Sequence, residues 1–123
     1  MSSRPGLETD QRPWGSSTVL DEDGTCKVKR IDVHPGRRLS YRRHARRSEN
    51  WFVARDRARV ILGGVESELA AGDSVDIPAG TDHRLENATE TDTDDVFVEV
   101  QHGDYFGEDD IMRLEDDFGR SDR

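Results

Sequence analysis

The sequence predicts an all-β domain, an antiparallel sandwich or barrel with a short helix near its C-terminal end. Three observations lead there. β-rich segments of about five to eight residues recur at close spacing, Gly and Pro turns separate them, and a single stretch carries helical periodicity.

In chain order, residues 1–12 are polar, include Pro, Gly and Ser, and lack periodicity, which predicts a flexible N-terminal arm. The domain proper is expected over 13–120, opening at the RPWG run (12–15), with 121–123 as a tail. CKVKRIDV (26–33) alternates and turns at HPGR (34–37). Further strands are expected at 39–46, 50–54, 58–62, 66–70, 74–78, 83–87 and 96–100, with Gly63–Gly64 as one of the turns. In the last strand Val96, Val98 and Val100 read as the core-facing set, which turns Gln101 outward. Over 109–118, Ile111, Leu114 and Phe118 share a helical face behind an acidic start.

At 123 residues, 32% apolar and 37% charged, the chain makes one domain with a small core. No apolar run approaches membrane-spanning length and no signal-peptide core is visible, so a soluble cytoplasmic protein with no membrane partner is expected. The net charge of −9 argues against nucleic acid as a partner. Cys26, the single cysteine, excludes an internal disulfide and a cysteine-based zinc site. Against this acidic background, Arg42, Arg43, Arg46 and Arg47 crowd around His44.

The most specific stretch is AAGDSVDIPAGTDHRLEN, with Gly72, Pro78, Gly80, His83 and Asn87 at G-x5-P-x-G-x2-H-x3-N. Gly72 and the Pro78–Gly80 pair supply rigid turns, and His83 leads off a new strand. This resembles the second motif of the cupin β-barrels (double-stranded β-helix, or jelly-roll). The first motif matches at Gly36, His44 and Glu49, with Arg46 in the place of its second His. RPWG, KVKRI, PGxxLS, RxSExW, IPAGTxHRLEN and GDYFGEDDIMRLEDDFGR extend the likeness over about residues 12–120. They resemble the C-terminal cupin domain of type II mannose-6-phosphate isomerase/mannose-1-phosphate guanylyltransferase, and the resemblance leads to the expectation of a stand-alone cupin domain.

The resemblance implies aldose–ketose isomerisation of a sugar phosphate by proton transfer through an enediol. It also implies a divalent metal (zinc, alternatively iron or manganese) held by His44, Glu49 and His83, the same three residues being the catalytic candidates. Arg46 opposes that metal, because a unit charge about 4 Å from a divalent ion is unfavourable by about 8 kcal/mol at an effective dielectric of 20. Asn50 stands where the family often has a further His.

On their own chemistry, Arg42, Arg46 and Lys29 are expected to face the interior and hold a small anionic or phosphorylated sugar, with Arg84 at the rim. The alternative is that these arginines pair with Glu49, Glu99 and surface Asp residues. His34 reads as an exposed turn residue, His102 as a candidate for the barrel mouth, and Trp14 and Trp51 as core and seam fillers. Two other functions compete with isomerisation: a non-catalytic binder of a sugar or other anion, and an Fe(II)-dependent oxygenase built on the remaining triad. A homodimer is expected, since a small barrel has edges to protect.

Overall fold

The structure, a computed structural model, describes residues 8–88 and 92–116. Its strands are β1 (Thr9–Arg12), β2 (Gly15–Glu22), β3 (Cys26–Val33), β4 (Tyr41–His44), β5 (Arg47–Arg55) and β6 (Ala58–Leu62). They continue with β7 (Val65–Leu69), β8 (Ser74–Ile77), β9 (His83–Glu86), β10 (Asp95–Gly103) and β11 (Ile111–Glu115). All pairings are antiparallel, and two sheets form. One has the order β1-β2-β3-β10-β5-β8, the other β11-β4-β9-β6-β7. Between them lies the core, built on Ile31, Val33, Trp51, Val60, Leu85 and Phe97.

Three expectations change. Thr9–Arg12, assigned to the flexible arm, pairs with β2 from Thr9↔Thr18 to Arg12↔Gly15. The rest of the arm, residues 1–7, lies outside the described residues, as do Phe118 and the tail. The expected C-terminal helix is absent among the described residues: a 3-10 turn at Glu108–Asp110 leads directly into β11. There Ile111, Met112 and Arg113 pair with His44, Arg43 and Arg42. Ladder hydrogen bonds to β4, which would otherwise be a sheet edge, override the helical spacing.

The third change sets the site. In β10 the register shifts between Val96 and Phe97, so these neighbours are both buried, at 5% and 1% exposure. Beyond that bulge Phe97, Glu99 and Gln101 face inward, while Val98 and Val100 are half-buried. Gln101 is therefore an interior residue, and its amide donates to Glu99 Oε1.

Candidate functional site

Two local devices aim the central side chains. β4 carries Arg42 and His44 on one face, and Ala45–Arg46 then bend the chain from the five-stranded into the six-stranded sheet. Asp110 fixes that bend by accepting the backbone N–H groups of Ala45 (3.2 Å) and Arg46 (2.9 Å). The second device is the turn ahead of β9. Gly72 and Gly80 hold φ of +95° and +83°, and the Gly80 N–H donates to His44 O at 2.7 Å. Asn87 closes the stretch by donating to Val33 O at 2.9 Å. The two motifs are thus tied together by backbone, and His44 and His83 stack with ring centroids 5.3 Å apart.

The bend resets the strand alternation, which corrects the placement of Arg46. Its side chain is 53% exposed, paired with Asp104 (3.3 Å) and seated over the Tyr105 ring at 4.6 Å. Arg47 turns inward instead, 4% exposed. Its Nη2 donates to His44 Nε2 at 2.7 Å and its Nε to Glu49 Oε2 at 3.0 Å. Arg84 is likewise no rim residue: it is 2% exposed. It donates to Leu39 O (2.8 Å) and to Glu115 Oε1 (2.6 Å), a structural clasp.

His44, Glu49 and His83 do converge, each offering a ligand atom within 4.8 Å of the others. Glu49 Oε2 lies 3.6 Å from His44 Nδ1, and Oε1 lies 3.7 Å from His83 Nε2. Trp51, read as a filler, has a second role. Its indole N–H donates to Glu49 Oε1 at 3.1 Å, and its ring meets His83 edge-on at 5.5 Å.

Partners assign the tautomers. Arg47 can only donate, so His44 Nε2 accepts and the ring proton of neutral His44 sits on Nδ1. Thr81 O can only accept, so His83 Nδ1 donates to it at 2.8 Å. His83 Nε2 then presents a lone pair, buried and without a hydrogen-bond partner among the described residues.

Electrostatics keep both rings neutral at pH 7. His83 is pushed down to about 4 by burial, then by Arg42. Burial, Arg47 and Arg42 hold His44 far below the usual imidazole range. Burial and the neighbouring Glu99 push Glu49 up to about 7. For Glu99, burial acts upward, but Lys29, Arg42 and Arg47 outweigh it and leave the carboxyl below its ordinary value.

The donor set, two imidazoles and a carboxylate, fits a divalent ion in type and spacing. The lone pair of His83 Nε2, buried and without a hydrogen-bond partner among the described residues, fits it too, whereas His44 Nδ1 carries the ring proton and would have to lose it to bind a metal. Arg47 competes with it, since its guanidinium holds the Glu49 carboxylate and His44 Nε2. A metal would require that side chain to leave.

The other candidates separate. Lys29 faces Glu99 across β3 and β10, and Arg42 faces His83 across β4 and β9. His102 is exposed and lines a hollow with Ser48, Glu49, Asn50 and Pro78. Asn50 donates to Asp76 Oδ1 at 2.7 Å. His34 is exposed and meets Asp94 at 3.1 Å. Arg43 pairs with Asp82 at 3.4 Å. Sequence reasoning missed Arg47 and gave Glu99 only a pairing role. The available signal was Arg-x-Glu-x-Trp at 47–51, which places all three on one strand face.

Two antiparallel sheets enclosing a His–Glu–His centre define a cupin, or double-stranded β-helix, protein. A Klebsiella pneumoniae protein with a double-stranded β-helix domain shares the fold at a TM-score of 0.71 and 22% identity, over 94% of this chain and 85% of that one. The capsular polysaccharide assembling protein CapF from Staphylococcus aureus matches at a TM-score of 0.78 and 23% identity, over 92% of this chain and 35% of its own. Within that class, the chain belongs to the mannose-6-phosphate isomerase C-terminal family, which matches residues 6–116.

The mannose-1-phosphate guanylyltransferase ManC of Salmonella typhimurium is 41% identical over 109 residues, 89% of this chain and 22% of the relative. The alginate biosynthesis protein AlgA of Pseudomonas aeruginosa is 43% identical over 110 residues, again 89% of this chain and 22% of the relative. The chain therefore spans under a quarter of these relatives' length. No helix among the described residues is long and apolar enough to cross a membrane.

Proposed function

We propose that this cupin domain interconverts an aldose and a ketose phosphate, with mannose 6-phosphate and fructose 6-phosphate as the pair to test. The observation carrying this reading is the buried Glu49–His83 pair, 3.7 Å apart. It joins a carboxyl pushed up to about 7 to a neutral imidazole with its Nε2 lone pair turned toward it. A base with a pKa near the working pH suits abstraction of a proton next to a carbonyl.

In the proposed reaction Glu49 takes the C2 proton of the open-chain aldose and returns it to C1. His83 Nε2 takes the O2 proton and hands it to O1, so the balance closes with no other reactant. Neutral His44 holds Arg47, whose charge lies beside the developing enediolate oxygens. A zinc, iron or manganese ion, when bound, would be held by His44, Glu49 and His83 after Arg47 withdraws, and would polarise those oxygens.

A second reading, a cupin that binds an anionic sugar without turning it over, is favoured by one observation. His44, Glu49 and His83 are 1%, 4% and 1% exposed, with Arg47 packed over them. A coupled assay of mannose 6-phosphate isomerisation, with and without added Zn²⁺, Mn²⁺ or Fe²⁺, separates the two. Turnover supports the isomerase; ester binding with no turnover under any condition leaves the binder.

A further inference from the structure

Gln101 is fully buried, at 0% exposure, and the proposed reaction makes no use of it. We propose that its amide oxygen is a substrate contact, accepting the hydrogen of the C3 hydroxyl, next to the two reacting carbons of an open-chain sugar ester. The identity of the ester rests on the sugar-phosphate reading above. The free acceptor rests on the geometry of β10.

Placement comes first. Beyond the bulge at Val96–Phe97, Phe97, Glu99 and Gln101 are the buried residues of β10. In the ladder with β5, Gln101 stands directly opposite Glu49, and Glu99 opposite Trp51. Directly opposed residues bring their Cβ atoms to about 5 Å on the same sheet face. Gln101 therefore lies beside the carboxyl group proposed as the base, which Trp51 and Arg47 hold by one oxygen each.

The orientation of the amide is fixed as well. Its nitrogen donates to Glu99 Oε1, and a carboxylate can only accept, so the reverse assignment would set two acceptor oxygens against each other. Lys29 stands opposite Glu99 on the other flank of β10, in β3. Amide oxygen and nitrogen diverge from one trigonal carbon, so with Nε2 on Glu99 the oxygen is turned away from that carboxylate. It is buried and has no hydrogen-bond partner among the described residues. A buried acceptor without a donor is costly, and a ligand hydroxyl supplies the donor.

The kind of ligand follows. Gln101 Oε1, His83 Nε2 and the Glu49 carboxylate are three buried acceptors in one interior. Acceptors repel phosphate oxygens and match the adjacent hydroxyls of a polyol. In the proposed reaction His83 Nε2 receives the O2 proton, and the C1 oxygen of an open-chain aldose is a carbonyl with nothing to donate. The next donor along the sugar is the C3 hydroxyl, and Gln101 is there to receive it. Glu99 is a positioning residue: it holds the amide nitrogen and so leaves the oxygen to the ligand. An ester lacking that hydroxyl leaves the acceptor unpaired and should be rejected.

The test couples one atom of the protein to one atom of the ligand. Titration calorimetry compares mannitol 6-phosphate, an open-chain ester that cannot isomerise, with its 3-deoxy analogue. The proteins are the full chain, Gln101→Met and Gln101→Leu, and melts without ligand check that each variant is folded. Wild type should bind the parent ester at least tenfold more tightly than the 3-deoxy ester. In Q101M and Q101L that ratio should fall below twofold, through weaker binding of the parent. A purely structural or water-bound amide predicts one ratio for all three proteins. That result, a wild-type ratio near one, or no binding of the parent ester by wild type overturns the contact. Isomerisation of mannose 6-phosphate is assayed in parallel. A ratio lost in the variants with no turnover by wild type keeps the contact and removes the isomerase reading; turnover with an unchanged ratio does the opposite.

Discussion

Arg47 donates to His44 Nε2 at 2.7 Å, so the buried histidine of the first motif is bonded to a guanidinium at one ring nitrogen while the other, Nδ1, faces Glu49 at 3.6 Å. The same guanidinium grips Glu49, and one side chain thereby controls what the cluster can bind.

Replacing that side chain should therefore favour metal. Arg47→Met removes a unit charge from two donors, and Zn²⁺ or Mn²⁺ affinity measured by titration calorimetry should rise tenfold or more. The converse substitution Arg46→His should leave affinity unchanged, because residue 46 points outward. Equal affinities for wild type and R47M would place the metal donors elsewhere. The variant should also lose stability, on the order of 3 kcal/mol, from breaking a buried ion pair.

This contrast shows where legibility ended. The second motif was readable because its turns are local: Gly72, Pro78 and Gly80 dictate their own backbone, and His83 follows at fixed spacing. His44 and Glu49 were readable for the same reason. Arg46 and Arg47 were exchanged because the bend between them and His44 is held by Asp110, 64 positions from Arg46, and no local propensity announces it. β11 was misread as a helix because its state depends on pairing with β4, and Gln101 was turned outward because the bulge at Val96–Phe97 carries no sequence mark. β2 went unnoticed since Ser16, Ser17 and Thr18 lack the apolar alternation of a strand, although Ser17 and Thr18 are buried. Long-range contacts decided each of these cases.

Trp51→Phe isolates the indole hydrogen bond to Glu49. That bond favours the ionised carboxylate, so its loss should raise the Glu49 pKa above about 7. A hydrogen bond to a charged group is worth about 1.5 kcal/mol, or about one pH unit. The acid limb of the pH–rate profile should shift to higher pH by that amount. A shift to lower pH would contradict Glu49 as the base.

Asp95 predicts a pH effect on stability at a separate place. It is 1% exposed, neither carboxylate oxygen has a hydrogen-bond partner among the described residues, and burial with Asp56 and Asp94 nearby pushes it up to about 7. The folded state then binds more protons than the unfolded state between its ordinary value and about 7, so this group lowers stability as pH rises across that window. Asp95→Asn should raise unfolding free energy at pH 8 by on the order of 2 kcal/mol and change it little at pH 4, measured by urea titration. Equal gains at both pH values would remove the titration account.

Arg84→Met separates structure from ligand binding. Losing the bonds to Leu39 O and Glu115 should cost about 2–3 kcal/mol in urea unfolding, mostly from the carbonyl left unsatisfied. Affinity for mannose 6-phosphate should stay within twofold of wild type, whereas a tenfold loss would return Arg84 to the ligand site.

Proton NMR of mannose 6-phosphate in D2O tests the central claim most directly, because it follows the C2 hydrogen that Glu49 is proposed to remove. Wild type should produce fructose 6-phosphate and deplete the H2 signal of the remaining aldose, while Glu49→Gln and His83→Gln do neither. Mannose 6-phosphate that binds wild type with H2 intact and no ketose formed would contradict the account and leave a sugar-phosphate binder.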